Sequence, residues 1–286
     1  MKIAWIGTGV MGREMAIHLQ QGGHHVSVYN RSIEKALPLK EFGLCICDSI
    51  AACVSEAEAI FTMVGTPNDV EEVYTSKQGI FAYAKKNALL IDMTTSSPIL
   101  AQTLFQQGSS FRVLDAPVSG GDLGARNASL SIMVGGQQDD YKRALPLFQL
   151  LGTNIHYIGT SGCGQHAKAA NQIAVAGAVG AMSEAIHYAR CVGIEPSIIL
   201  EAIAKGAAGS WQLDHNAPLV LDKNFKPGFY IKHFIKDMKI VQDVMESKNQ
   251  DLKMLDCILE MYQCLADNGL ENEGTQALIK YYEKDA

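Results

Sequence analysis

The sequence predicts an α/β doubly wound sheet followed by an all-α C-terminal domain. Short apolar strand patterns alternate with helix patterns through the first half of the 286 residues, which is typical of a parallel sheet covered by helices. The strand patterns stop near Gly159, and almost everything beyond it reads as helix. We therefore expect two domains, residues 1–161 and residues 162–286, each long enough to bury a core.

The strands of the first domain are expected where short apolar runs are bounded by turn residues. These runs are Ile3–Ile6, Val26–Tyr29, Leu44–Cys47, Ala59–Val64, Leu89–Met93, Phe111–Asp115, Leu130–Val134 and Ile155–Ile158. Helices are expected between them, one ending at Gln21, one before Gly43, one beginning at Pro98 and one near Asp139–Leu150. Ser97 precedes Pro98 and is a suitable cap, because its hydroxyl can accept a hydrogen bond from the first turn.

The second domain is expected to begin with one long helix over 164–192, in which small and apolar residues dominate. Between Gln165 and Ser183 its one formal charge is Lys168, and Asn171 follows three residues later on the same helical face. Shorter helices are expected over 197–205, 231–248, 252–267 and 275–282, separated by glycine and proline. The long helix is therefore also the connection between the two domains.

Composition and charge exclude several classes of function. Hydrophobic residues make up 48% and charged residues 19% of the chain, and the net charge is -6. We therefore expect a globular protein without a basic face for nucleic acid or anionic lipid. The apolar runs are too short for a membrane span. A strand pattern begins at Lys2, so we expect no signal peptide and a cytoplasmic location.

The cysteines and histidines favour reduced thiols and no metal site. The chain has 7 cysteines and 8 histidines. No Cys-x-x-Cys pair and no histidine spacing typical of a metal site occurs. Cys163 is the thiol to examine, since a helix start can lower the pKa of a cysteine, with ordinary packing as the alternative.

A glycine-rich segment follows the first strand and opens the first helix. It comprises Gly7, Thr8, Gly9, Val10, Met11 and Gly12. In a Rossmann fold the first glycine allows a tight turn, the second lets the backbone approach a pyrophosphate, and the third lets helix and strand pack closely. The helix start then binds the anion. We therefore expect these six residues to bind a dinucleotide; an ordinary glycine-rich turn is the alternative.

The end of the second strand favours NADP over NAD. An NAD site usually has an acidic residue here to hold the ribose hydroxyls. This chain has Asn30-Arg31-Ser32 instead, and an arginine beside a hydroxyl suits a 2′-phosphate. In the alternative, Arg31 is solvated and Ser32 caps the next helix.

Three further segments lie where ligands bind, at the carboxyl ends of strands. Val64-Gly65 and Thr95 are expected to border the nicotinamide, and Thr95 could also contact substrate or merely start a helix. Ser119-Gly120-Gly121 combines a hydroxyl with consecutive glycine N–H groups, an arrangement that can bind a carboxylate. A simple turn is the alternative for this last segment.

Lys168 is the candidate general acid and base. Hydride transfer to a carbonyl needs a proton donor, and the reverse reaction needs a base. Burial at a helix start lowers the pKa of a lysine towards neutrality, whereas the alternative places Lys168 in solvent. Asn171 could hydrogen-bond the reacting oxygen or hold the lysine side chain. Lys236 could reach the cofactor or substrate with the support of Asp237; charges on a solvated helix face are the alternative.

The motifs in order resemble the β-hydroxyacid dehydrogenase family, which includes 3-hydroxyisobutyrate dehydrogenases, tartronate semialdehyde reductases and the glyoxylate and succinic semialdehyde reductases. The resemblance spans the whole chain. Its blocks are Trp5-Ile6-Gly7-Thr8-Gly9-Val10-Met11-Gly12, Asp92-Met93-Thr94-Thr95, Asp115-Ala116-Pro117-Val118-Ser119-Gly120-Gly121, Gly162-Cys163-Gly164 with Lys168 and Asn171, and Lys236-Asp237.

The resemblance implies hydride transfer between a nicotinamide and a small 3-hydroxy acid, semialdehyde or 2-oxo acid. It makes Lys168 the acid/base, assigns substrate binding to Asn171 and to Ser119-Gly120-Gly121, and places Lys236 in the cofactor cleft. It also implies a homodimer or homotetramer formed through the helical domain, with a small carboxylate as the substrate.

Two positions depart from the family pattern: Thr8 replaces the usual leucine or phenylalanine, and Ala128 stands where glycine is common. Asn30-Arg31 is similar to the NADP-using reductases, which favours reduction of a semialdehyde or glyoxylate. An imine reductase-like enzyme and a non-catalytic NADP-binding module are the alternative functions. Trp211, within 206–215, either shapes the substrate pocket or anchors helices.

Overall fold

The computed structural model describes residues 1–283 and contains one mixed sheet followed by helices. The strands are β1 (Lys2–Ile6), β2 (His25–Tyr29), β3 (Cys45–Ile46), β4 (Ala59–Thr62), β5 (Leu89–Asp92), β6 (Arg112–Asp115), β7 (Val118–Ser119), β8 (Leu130–Gly136) and β9 (Gly152–Gly159). Their order is β3-β2-β1-β4-β5-β6-β8-β7, and β9 pairs with β8. The expected doubly wound α/β fold is confirmed.

One part of the sheet differs from the expected parallel arrangement. The first six strands run parallel, but β8 pairs antiparallel with both β6 and β7. β9 then pairs parallel with β8. The chain can reverse here because the loop between β6 and β8 contains the short strand β7 and one helical turn and a half, instead of a full crossover helix.

The helices of the first half are α1 (Val10–Gln21), α2 (Ile50–Val54), α3 (Pro67–Thr75), α4 (Ile80–Tyr83), α5 (Pro98–Gln107), α6 (Gly121–Arg126) and α7 (Gln138–Phe148). Ser97 caps α5 by accepting from Leu100 N. The helix expected before Gly43 consists of two 3-10 segments, Ile33–Lys35 and Leu37–Phe42. A proline inside the second segment is consistent with this tighter geometry.

Both faces of the sheet are buried, which explains the continuous apolar runs of its strands. Along β1, Ile3 and Trp5 enter one core cluster, whereas Ala4 and Ile6 enter the other. This alternation is the two-residue period of a strand covered on both sides. Trp5 stacks on Phe61 and donates its ring N–H to Gly7 O at 2.8 Å, so the core supports the glycine-rich turn.

The second half is helical, as expected. Its helices are α8 (Cys163–Cys191), α9 (Pro196–Ile203), α10 (Ala217–Leu221), α11 (Ile231–Glu246) and α12 (Lys253–Asp267), with a π-helical turn at Gln212–Asn216 and a 3-10 segment at Thr275–Tyr281. Their core centres on large buried side chains such as Phe234, Met238 and Tyr262. The chain divides into two compact units, Met1–Lys168 and a second that begins at Ala169. The division lies inside α8.

Candidate active site

The three glycines of the first turn meet three different steric requirements. Gly7 has φ +99°, and a Cβ there would lie 2.1 Å from Met63 O. A Cβ on Gly12 would lie 2.1 Å from Gly7 O, so helix and turn are in close contact. At Gly9, by contrast, an added Cβ would meet no heavy atom of residues 1–283 within 4 Å. The backbone therefore faces open space at the position where a pyrophosphate would approach.

The start of α1 fits a bound anion. Among the described residues, no side chain caps this helix and no acidic residue lies in its first turn. Thr8 is 3% exposed, and its hydroxyl has no hydrogen-bond partner within residues 1–283. Val10 is exposed and Met11 is half-buried against the core. A helix start with available N–H groups and an unpartnered hydroxyl suits a phosphate ligand.

Asn30 holds the glycine-rich turn in place. Its Oδ1 accepts from Thr8 N at 2.9 Å, and its Nδ2 donates to Ser32 O at 2.9 Å. Ser32 precedes the 3-10 segment, but its side chain makes no cap hydrogen bond in the described part of the chain. Ser32 thus has the N-cap position expected in the alternative but does not use its hydroxyl there, which leaves the hydroxyl available to a ligand.

Arg31 is exposed but not isolated. Its Nη1 lies 3.4 Å from Asp69 Oδ1, and Asp69 also accepts from Thr66 Oγ1 at 2.7 Å. The guanidinium side chain is 83% exposed, so this ion pair is a weak one. Asp69 was not predicted as part of the site, because nothing in its own surroundings in the sequence relates it to Arg31.

Hydrogen bonds join the loops after β4 and β5. Val64 N donates to Thr94 Oγ1 at 3.0 Å, and Thr94 N donates to Asp92 Oδ1 at 3.1 Å. The Thr62 hydroxyl also donates to Asp92 Oδ1, at 2.8 Å. Burial raises the pKa of Asp92 to about 6, although these hydrogen bonds act to lower it. Thr95, which follows Thr94, is half-buried. It does not cap α5, because Ser97 has that position.

Asp115 anchors the start of α8. Its two carboxylate oxygens accept from Gly162 N at 2.8 Å and from Gln165 N at 2.9 Å. Burial raises the pKa of Asp115, and these backbone hydrogen bonds oppose the rise. A Cβ on Gly164 would lie 2.4 Å from Met133 O, so the helix start is in close contact with β8. The sequence placed Asp115 in a motif without indicating this role.

Gln165 links α8 to the loop after β5. It is 1% exposed. Its Nε2 donates to Thr94 O at 2.8 Å, while its Oε1 accepts from Ser96 N at 2.9 Å. The amide group thus holds the backbone on both sides of Thr95. Sequence reasoning missed Gln165, although a glutamine in a helix start of small and apolar residues was a signal that it had buried partners.

Lys168 lies one turn after Gln165 and is 6% exposed. The alternative that placed it in solvent is therefore wrong. Its position in the fold is determined by the Asp115 anchor and the Gln165 side chain, which join its helix to two strand ends. A buried ammonium near strand ends requires polar or charged partners, and this is where ligands bind in such sheets.

Ser119-Gly120-Gly121 joins the short strand β7 to helix α6. Ser119 pairs with Ser131 in the short β7–β8 ladder. Gly120 and Gly121 have φ +129° and +62°, a conformation that L side chains rarely adopt. In the strand order β4, β5, β6 and β8 separate this segment from β1. Gly121 nevertheless begins α6, and α6 packs on α1, the helix that the glycine-rich turn opens: His18 Nε2 lies 3.0 Å from Ala125 O.

The second unit connects Asn171 and Lys236 through buried side chains. Asn171 Nδ2 donates to Gln172 Oε1 at 2.8 Å, and Gln172 Nε2 donates to Asp237 Oδ2 at 2.6 Å. Lys236 Nζ lies 2.9 Å from Asp237 Oδ1. Gln172 and Asp237 are each 3% exposed, so the solvated-face alternative for the Lys-Asp pair is wrong. Gln172 was missed because its partner lies 65 residues away.

Among residues 1–283, no three His, Cys, Asp or Glu side chains are grouped so that they could hold a metal ion. None of the described helices combines the length and apolar character that crossing a membrane requires. Trp211 is exposed and stacks on His215 in the π-helical turn, with ring centroids 4.4 Å apart.

Comparisons with known proteins agree with this geometry. Residues 2–159 match the family model of the NAD binding domain of 6-phosphogluconate dehydrogenase. Residues 162–282 match the model described as NAD-binding of NADP-dependent 3-hydroxyisobutyrate dehydrogenase. Both halves of the chain are thus similar to parts of nicotinamide-dependent dehydrogenases.

Individual relatives match over nearly the whole chain. The uncharacterized oxidoreductase YkwC of Bacillus subtilis is 46% identical over 99% of both chains. The 2-hydroxy-3-oxopropionate reductase of Escherichia coli is 35% identical over 99% of this chain and 97% of its own. A structure of Mycobacterium tuberculosis 3-hydroxyisobutyrate dehydrogenase with L-serine has a TM-score of 0.91 at 28% identity, covering 98% of each chain. By sequence and by fold, the chain belongs to the β-hydroxyacid dehydrogenase family of NAD(P)-dependent oxidoreductases.

Proposed function

We propose that this enzyme uses NADP to transfer a hydride between nicotinamide and a small 3-hydroxy acid, semialdehyde or 2-oxo acid. The observation that carries the proposal is the buried Lys168, 6% exposed, on a helix start that Asp115 and Gln165 fix to the strand ends of the nucleotide-binding unit. A lysine so held is suited to proton transfer at a single reacting atom.

The nicotinamide supplies or accepts the hydride. In the reductive direction, Lys168 donates a proton from its ammonium group to the carbonyl oxygen as negative charge develops there. In the oxidative direction, the neutral amine removes the hydroxyl proton. Asn171 hydrogen-bonds the same oxygen, and Gln172 keeps the Asn171 amide oriented. Lys236, paired with Asp237, provides positive charge towards the cofactor.

A small carboxylate is the substrate class that these residues favour. The hydroxyl of Ser119 and the N–H groups of Gly120 and Gly121 suit a carboxylate, and both glycines have positive φ. The names of the relatives support the same class, since one is a 2-hydroxy-3-oxopropionate reductase and another was solved with L-serine. Both molecules are small acids with oxygen at the third carbon.

A homo-oligomer is part of the proposal. Tyr188, Val192, Ile194 and Ile198 are apolar residues of the second unit that are 45–64% exposed, at the end of α8 and the start of α9. A group of exposed apolar side chains supports association with a second copy.

The Lys168→Met variant tests the catalytic role, because methionine keeps the shape but has no proton to transfer. We expect kcat for semialdehyde or glyoxylate reduction to fall roughly 10²- to 10⁴-fold, with NADPH affinity within about threefold of the wild type. Stopped-flow or steady-state NADPH oxidation measures the first quantity, and fluorescence titration of NADPH the second.

Lys205→Met is the matched control, since Lys205 is exposed in the second unit. Unchanged turnover in the Lys168 variant would refute the acid/base role. If the wild type binds NADPH but reduces none of glyoxylate, succinic, tartronate and methylmalonate semialdehydes, the imine reductase-like or non-catalytic alternative replaces the proposal.

Arg31 is the residue proposed to select NADP. Its guanidinium must leave Asp69 to bind a 2′-phosphate, and it can do so because the pair is exposed. The match of residues 162–282 to the model described as NAD-binding of NADP-dependent 3-hydroxyisobutyrate dehydrogenase supports the same preference. We expect Arg31→Ala to raise the KM for NADPH about tenfold or more, and to leave the KM for NADH nearly unchanged.

Steady-state assays with both cofactors measure this effect, with Lys35→Ala as the control for loss of a nearby exposed charge. A wild type that prefers NADH, or an Arg31 variant that loses both cofactors equally, would contradict the 2′-phosphate assignment. Either result would leave the role of Lys168 unaffected.

A further inference from the structure

Three of the seven cysteines meet at the edge of the sheet, away from Lys168. Cys45 lies on the edge strand β3, opposite Ser27 of β2. Cys47 follows two residues later, so both side chains are on the same face. Its amide donates to Val28 O at 2.8 Å. We name Cys45, Cys47 and Cys53 the thiol cluster.

Helix α2 completes the thiol cluster from the other side. It starts three residues after Cys47 and brings Cys53 over the same face, with Cys53 Sγ 3.4 Å from Ser27 O. Cys53 is 3% exposed, and Cys47, half-buried, packs against the core cluster that contains it. Cys45 and Cys53 thus both lie against Ser27, and Cys47 and Cys53 share one core cluster, so the three thiols occupy one region at the edge of the sheet.

The surroundings give Cys47 and Cys53 different acidities. The hydrogen bond from Cys53 is the main cause that lowers the pKa of Cys47 to about 7. Hydrogen bonds from Ser27 and Cys45 act in the same direction, whereas burial and Asp48 oppose them. The hydrogen bond with Cys47, followed by burial, raises the pKa of Cys53. Near neutral pH the half-buried thiol is thus the nucleophile and the buried thiol remains protonated.

We propose that Cys47 is a modification site that reacts with hydroperoxides and then forms a disulfide with Cys53. In the first step the Cys47 thiolate attacks one peroxide oxygen, the O–O bond breaks, and hydroxide leaves as a sulfenic acid forms. In the second step Cys53 sulfur attacks Cys47 sulfur, the S–O bond breaks, and water leaves with the Cys53 proton. The two thiols lose two electrons and hydrogen peroxide becomes two waters.

A metal site is the other use of three thiols, and the geometry does not favour it. Within residues 1–283, no three His, Cys, Asp or Glu side chains, those of the thiol cluster included, are arranged to hold a metal ion. Within residues 1–283, the thiol of Cys163, which the sequence pointed to, has one hydrogen-bond partner, Thr160 Oγ1, at 3.8 Å. The thiol cluster is therefore the favoured place for oxidation.

The first experiment measures thiol reactivity in the unmodified full-length protein. Limited iodoacetamide treatment at pH 7 and peptide mass spectrometry give the alkylation rate of each cysteine. We expect Cys47 to react at least about fivefold faster than exposed Cys257, since its larger thiolate fraction outweighs its lower nucleophilicity. Equal rates for Cys47 and Cys257 would overturn the proposal without relying on any variant.

The second experiment identifies the disulfide. Protein treated with hydrogen peroxide at pH 7 is blocked with N-ethylmaleimide, digested without reduction and mapped. We expect a peptide pair joining Cys47 to Cys53. Cys53→Ser should leave a sulfenic acid on Cys47 that dimedone traps, and Cys257→Ser should behave as the wild type. A disulfide through Cys45 in place of Cys53, or indiscriminate oxidation of exposed cysteines, would refute the assignment.

Discussion

At the scale of single residues, two buried carboxylates perform different tasks in the first unit. Asp92 accepts from Thr62 and Thr94 and shapes the loop after β5, whereas Asp115 accepts backbone N–H groups at the start of α8. Burial is the main cause that raises the pKa of both. Each therefore binds its proton more tightly in the folded chain than in the unfolded chain.

Asp92 makes the free energy of unfolding depend on pH. Its pKa rises from 3.8 to about 6 on folding. Its contribution is therefore fully present below pH 4 and is lost as the pH rises through 6. Asp92→Asn keeps the Oδ1 acceptor but cannot ionise. Relative to the wild type, we expect the free energy of unfolding of this variant to increase by on the order of 3 kcal/mol between pH 4 and pH 7.5.

Urea unfolding of both proteins at several pH values measures this gain as a difference, in which the effects of all other groups cancel. Asp139→Asn serves for comparison, because the Asp139 side chain is 85% exposed and should give curves parallel to the wild type. A difference between the Asp92 variant and the wild type that stays constant with pH would show that Asp92 does not titrate in this range.

The residues that could be predicted are those whose requirement is local. Gly7 and Gly12 are recognisable because a side chain would collide with nearby backbone. The burial of Lys168 could be proposed because the helix around it is apolar. Gln165 and Gln172 could not be assigned, because their partners Thr94, Ser96 and Asp237 are distant in sequence and only the fold brings them together.

At the scale of elements, the connection between α6 and β8 contains a strained residue. Ala128 has φ +50°, in the left-handed region. A Cβ in this conformation costs about 1–2 kcal/mol, which glycine avoids. Glycine also gives the unfolded chain more freedom, which offsets part of the gain. We expect Ala128→Gly to stabilise the protein by about 0.5–1 kcal/mol, measured as a higher urea midpoint with an unchanged slope.

The matched comparison for this effect is Ala181→Gly, an exposed alanine inside α8. There the same substitution should destabilise by about 1 kcal/mol, since the backbone is helical and glycine has only its entropic disadvantage. If both variants lower the urea midpoint, the left-handed conformation of Ala128 does not reduce the stability of the protein significantly.

Elements with a clear period could be predicted, and the direction of strands could not. The long helix was expected over 164–192 and is observed at Cys163–Cys191. β8 was expected as a strand, but an apolar run reads the same in either direction, so its antiparallel pairing was not visible. The π-helical turn at Gln212–Asn216 was also missed, since no composition distinguishes it from an ordinary loop or helix.

At the scale of the whole molecule, the change of composition near Gly159 predicted an α/β part and a helical part. The structure adds that the two compact units meet six residues into α8, between Lys168 and Ala169. The sequence could not reveal this, because it depends on Asp115 and Gln165 holding the first turns of α8 to the sheet. Lys168 therefore packs with the nucleotide-binding unit, although in the sequence it lies at the start of the helical half.

This anchoring joins residues that lie in the separate halves of the gene matched by the two family models. The two family models meet between residues 159 and 162, so a recombination there transfers Lys168 together with the helical half. Asp115 in the retained half binds backbone N–H groups, and the incoming half would keep the same contacts if it has glycine at positions 162 and 164 and glutamine at position 165. Such a half would bring its own lysine, the residue that we propose as the proton donor, already in register with the nucleotide-binding half.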